Sequence, residues 1–109
     1  MARVRTRKLF WTNSTSEGVV AHTVYSGQAT DTSFLASVDA GSVAPLARVE
    51  MPASELVLAA GMLTEGEWQF AVCSEDQNGN FSDPYQASGW RNVPLDLTAP
   101  LPPSAGGIA

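Results

Sequence analysis

The sequence predicts an all-β fold, an antiparallel β-sandwich, and three observations carry that expectation. Short runs rich in β-branched and aromatic residues recur along the chain, separated by Gly, Asn and Ser turn clusters. No segment shows a sustained helical period, a heptad or an internal repeat. Trp68 to Asp83 (WQFAVCSEDQNGNFSD) joins an alternating strand to a tight turn and at once to a second strand, the pattern of a β-hairpin.

Taken in order, Val4 to Thr12 reads as a strand with Leu9 and Trp11 on one face, and Asn13 to Gly18 as a turn cluster. Val19 to Tyr25 is a second strand, closed by Ser26-Gly27. A polar loop over Gln28 to Thr32 leads to a short apolar strand over Phe34 to Val38 and a turn at Asp39 to Ser42. Ala47 to Glu50 can pair briefly with a neighbour, and Ser54 to Ala60 fits the run of short strands better than a helix. In the hairpin Trp68, Phe70 and Val72 share one face, and Gln69, Ala71 and Cys73 the other. Asp76 to Asn80 supplies residues that tolerate positive φ and bond to their own backbone. Phe81 to Trp90 continues as the second strand, and the remainder is rich in Pro, Ala and Gly, with few reasons to fold alone.

The chain of 109 residues is long enough for one core and not for two. Charged residues make up 16% of it, against about 25% in an average domain. Four of its six positive charges (Arg3, Arg5, Arg7, Lys8) sit at the N-terminus and the rest is acidic, so nucleic acid is not an expected partner of the body. No apolar run approaches a membrane span and no apolar segment of a secretory signal is present, which suggests synthesis in the cytoplasm without a signal peptide. The lone Cys73 cannot form an internal disulfide.

The hairpin Trp68 to Asp83 resembles the F strand, FG turn and start of the G strand of bacterial fibronectin type III domains. Leu9-Phe10-Trp11-Thr12 looks like the B strand of that family, whose tryptophan lies at the centre of the core, and His22-Thr23-Val24-Tyr25 looks like the C strand. Leu63 to Trp68 looks like the corner before strand F, with Trp68 in place of the tyrosine whose hydroxyl ties it. The resemblance covers Leu9 to Leu97 and implies an immunoglobulin-like sandwich. It suggests a division into a basic arm (1–8), a sandwich (9–97) and a Pro/Gly-rich arm (98–109). It also departs from the family: little sequence precedes strand B, while Asp96 to Pro100 followed by Pro102-Pro103 looks like the opening of a strand A at the other end. A sandwich short of an edge strand exposes unpaired backbone, so the C-terminal arm is expected to fill that edge in its own subunit or in a neighbour. A short strand A with a free tail is the alternative.

Nothing resembles a nucleophile elbow, a phosphate loop or a metalloprotease helix, so no enzyme, cofactor or metal is expected. His22 has no companion at metal-ligand spacing and reads as a paired core histidine, and Cys73 as a buried strand residue. Glu75, Asp76, Asn78, Asn80 and Asp83 gather oxygens around the turn, but the spacing is not that of a calcium loop and turn formation accounts for it. Two glycosylation patterns, at Asn13 and Asn80, have no meaning without secretion.

If His22, Val24, Phe70 and Val72 point inward, the other face of the sheet presents Val19, Ala21, Thr23, Tyr25, Gln69, Ala71 and Cys73, an uncharged surface. Such a face suits an interface with another protein, or lies under the chain's own loops. The expected function is a structural or interaction subunit of a larger assembly, with other subunits or copies of itself as partners. By analogy with small sandwich domains that decorate capsids and tails, that assembly is a phage or virus-like particle, its docking surface this face together with Leu97, Pro100, Leu101 and the basic arm. The competing expectation is a glycan- or cell-surface-binding module that uses Tyr25, Tyr85 and Trp90.

Overall fold

Alternation about Leu9 and Trp11 is realised as strand β1 (Arg7–Phe10), with both of these side chains buried and Phe10 turned outward. The computed structural model describes residues 6–59, 61–98, 100–103 and 105–108. Arg3, Val4 and Arg5 lie outside the described residues, while Arg7 and Lys8, expected in an arm, open β1. Strand β1 pairs antiparallel with β4 (Glu55–Leu58), from Arg7 opposite Leu58 to Phe10 opposite Glu55. The second sheet contains β2 (Val19–Gln28), β3 (Ala47–Glu50), β5 (Gly66–Asp76) and β6 (Val93–Leu95) in the order β3-β2-β5-β6, all antiparallel. Pro94, which cannot donate to a ladder, sits in the edge strand β6 where that omission is tolerated.

The two sheets enclose one core. Leu9, Trp11 and Leu58 face Val24, Phe70, Val72, Val93 and Leu95, and Trp90 enters from a 3-10 turn over Ser88–Trp90. Trp11 meets Trp90 edge to face at 6.5 Å between ring centres, a geometry that aromatic quadrupoles favour. Its indole N–H, which could not be buried unpaired, donates to Asn13 Oδ1 at 3.0 Å. At the entry to β5, the Trp68 indole donates to the Thr64 carbonyl at 2.9 Å and ties the preceding corner to the strand.

Three expected elements are corrected. Phe34 to Val38 is not a strand but part of a helix, α1 (Phe34–Asp39), whose Phe34 and Val38 stand one turn apart and are both buried. Gly41, at φ 75°, ends it: Gly41 N–H bonds Val38 O at 3.0 Å and Ser42 N–H bonds Ser37 O at 2.9 Å, the paired closing bonds of a glycine-terminated helix. Ser26-Gly27 does not close β2, which runs on to Gln28 opposite Trp68. Phe81 to Trp90 is not a continuous strand. Ser82 N–H bonds Ser74 O and Tyr85 exchanges two bonds with Val72, a shift of one residue around Asp83-Pro84; the chain then leaves the sheet and rejoins it as β6. The excursion carries Trp90 into the core.

Gly27 explains where α1 sits. A Cβ built there would stand 2.5 Å from Phe34 Cδ1, so the ring rests on bare backbone. Gly27→Ala is expected to lower stability by about 1 to 3 kcal/mol, the usual cost of overpacking. Denaturant unfolding would measure it, and an unchanged midpoint would show that α1 does not depend on this contact.

Candidate functional site

The expected neutral face exists as a set of residues but not as a free surface. Ala71 and Cys73 pack beneath Phe34 and Val38 of α1, with Tyr25 and Val43 alongside, in a second small core. Ala21 and Thr23 are buried too. Arg48 on β3 reaches Glu75 on β5 at 2.7 Å, and because β2 lies between those strands the ion pair crosses its surface at Ala21 and Thr23. Gln69 is buried by its own bonds: its amide donates to the carbonyls of Gln28 at 2.9 Å and Asp31 at 2.7 Å, and accepts from Gln86 at 3.1 Å. Docking through Ala21, Thr23, Gln69, Ala71 and Cys73 is therefore corrected: the chain's own helix and side chains cover them. Val19 and Tyr25 remain half-buried at the margin.

A cleft of about 480 Å³ opens at the end of α1, with Thr23, Tyr25 and Cys73 on its floor and Val43, Phe81 and Asp83 on its walls. It is not equipped for nucleophilic chemistry. Burial, and after it the negative charges of Asp39 and Asp83, push the Cys73 thiol from 9.0 up to about 11. His22 cannot assist, because it lies on the opposite, inner face of the sheet beside Trp11. Among the described residues no group of three or more His, Cys, Asp or Glu side chains could hold a metal ion. The turn carboxylate of Asp76 is occupied: Oδ1 accepts from the N–H groups of Asn78 and Asn80 at 2.9 Å each, and Oδ2 from the Asn80 amide at 3.2 Å. The Asn80 backbone bond is the main cause that lowers its pKa.

The aromatic set expected of a glycan reader does not assemble either. Trp90 is only 7% exposed and belongs to the core. Tyr85 is exposed, but its ring stands edge-on to Trp90 at 6.1 Å, and Tyr25 lies on the other face of the sheet, in the cleft beside α1. Stacking a sugar requires an open ring face, which Trp90 lacks.

The rim between the sheets is open as well. A groove of about 350 Å³ runs along Arg7, Lys8, Leu9 and Phe10, with Ala87, Gly89, Trp90 and Val93 as its far wall. Four consecutive strand residues can line one groove only if it follows the strand's edge, since their side chains alternate between faces. Among the described residues β1 pairs with β4 alone, so this edge is bare. The described residues of the C-terminal arm do not pair with it within the subunit. Thr98 is held at the corner by Glu65 (Oγ1 to Oε2, 3.2 Å), Pro100 is exposed, and Leu101 is 92% exposed. The molecule extends over 69 × 30 × 21 Å. Of the far wall, the sequence singled out Trp90 alone, and for a different role, because only the excursion after Tyr85 brings these residues opposite β1.

Searches against protein-family models, curated proteins and solved structures find no match for this chain.

Two outcomes follow from the buried titratable groups. His22 Nε2 accepts from the Ser14 N–H at 3.2 Å, which leaves the proton of the neutral ring on Nδ1, buried without a partner, and burial lowers the pKa from 6.5. The unfolded chain then binds a proton more readily than the folded one. Stability should be complete above about pH 6.5 and fall as pH drops through 6.5 toward the lower folded value. His22→Phe should abolish that slope; a variant with the wild-type pH profile in denaturant titrations would show that another group is responsible. Cys73 in the folded protein should resist an aromatic disulfide reagent at pH 8 and react at once in denaturant, whereas rapid reaction of the native protein would contradict its burial.

Proposed function

We propose that this protein is a non-enzymatic structural subunit of a larger assembly, built on an immunoglobulin-like sandwich of the fibronectin type III kind. The strand order supports the fold reading. With β1 taken as B, β4 as E, and β3, β2, β5 and β6 as C′, C, F and G, the pairings B–E and C′–C–F–G are those of such a sandwich without strand A. The Trp68 corner and the central Trp11 fit the same scheme.

The observation that carries the functional reading is the bare β1 edge in a chain whose C-terminal arm is exposed at Pro100 and Leu101. Native proteins blunt or cover unpaired edges, because free N–H and C=O groups template association. A component of an assembly covers them with its partner. With α1 seated on the sheet face, docking is assigned to the edge and the arms, including Leu97, Pro100 and Leu101. In the specific form we favour, the assembly is a phage or virus-like particle and the protein one of its accessory or decoration subunits; that choice rests on analogy between small sandwich domains. Against an enzyme stand the elevated Cys73 thiol and the placement of Cys73 and His22 on opposite faces. No helix of the described residues is long and apolar enough to cross a membrane.

Density-gradient fractionation of a lysate of the source cells, probed for this chain, tests the reading. The chain is expected in the particle band and should persist there through moderate salt. Recovery only among free proteins at the top of the gradient would overturn it.

A further inference from the structure

We infer that the groove along β1 receives the C-terminal segment 97–103 of a second copy of the chain, added as an edge strand. This rests on the assembly reading above and names the partner at its open edge.

The backbone chemistry of the segment selects it. In a strand, the N–H groups of alternate residues point to opposite edges. Pro100 and Pro102 have no N–H, and the Thr98 N–H is already bonded to Asp96 Oδ1 at 3.0 Å. The even-numbered edge of the segment thus offers no free donor from Thr98 to Pro102. The donors that remain, on Leu97, Ala99 and Leu101, all belong to the other edge. Such a strand can pair on one side only. It can cap a sheet and cannot propagate one, which is how proline is used in edge strands.

Length and side chains agree. The receiving strand has four residues, Arg7–Phe10, and the segment seven. Leu97 and Leu101 fall on one face of the strand, in a period of two. The far wall that they would meet is apolar, with Ala87, Trp90 and Val93. Asp96 leads the segment toward a groove whose β1 side carries Arg7, opposite in charge. The occupant is a second copy because in its own subunit Thr98 is held by Glu65, away from β1, and Pro100 and Leu101 are exposed. Reciprocal exchange closes a dimer; one-way exchange builds a ring or a filament.

Light scattering across a concentration series is expected to give the full chain a mass at least twice that of one chain. Leu101→Asp should return it to a single-chain mass, or raise the midpoint concentration roughly tenfold or more, with unchanged circular dichroism. Mixed samples of Pro102→Cys and of Phe10→Cys or Lys8→Cys should form a disulfide between copies under mild oxidation, while the buried Cys73 stays out of the reaction. A wild-type monomer at every concentration without mixed disulfide would overturn the inference. So would a Phe10→Cys/Pro102→Cys chain that closes within one subunit. A monomer that nonetheless fractionates with particles would end this inference and leave the assembly reading standing.

Discussion

Strands β2 and β5 run side by side from Val19 opposite Asp76 to Gln28 opposite Trp68, and burial on both faces of this pair sets the conditions for everything around it. On the inner face Val24, Phe70 and Val72 meet Trp11 and Leu58 across the sandwich. On the outer face Ala71 and Cys73 lie beneath Phe34 and Val38. A sheet buried on one side alone would have needed charges on the other. Here small residues at Ala21, Gly27 and Ala71 lower the surface enough for a helix and an ion pair to lie over it. Burial of Phe34 contributes about 1.5 to 3 kcal/mol, more than a six-residue helix could contribute by its own backbone propensity.

That double burial moves the functional question from faces to edges. With the neutral face largely used internally, the exposed features include a bare strand edge, a groove and a projecting arm. Each follows from backbone hydrogen-bonding capacity rather than from reactive side chains. The polar groups that are buried act structurally. Gln69 fastens the loop after β2 to β5 and is itself held by Gln86, which also donates to Phe70 O at 3.0 Å. Asp76 closes the hairpin turn. His22 bonds the Ser14 backbone and leaves one ring nitrogen unpaired, at a cost of about 1 to 3 kcal/mol for a neutral donor. Its position against Trp11 shows that the core tolerates a polar ring where an aromatic one would serve.

By itself the sequence determined the features that depend on near neighbours in the chain: the period of two around Leu9 and Trp11 and through Trp68 to Cys73, the turn at Asp76 to Asn80, and the absence of any catalytic signature. These made the strands, the hairpin turn and the sandwich class legible. Segment 34–38 was not legible, because five apolar and small residues fit a strand and a helix equally well. Its one local clue was Gly41 as a helix stop. Only the tertiary structure decided that α1 forms, since Phe34 and Val38 need Ala71 and Cys73 of β5, remote in sequence, to pack upon, beside the bare backbone of Gly27. The same long-range packing decided that the neutral face is covered, that Trp90 is core, and that β1 keeps a free edge. Which groups are exposed depends on what lies across the sandwich, and no local pattern records it.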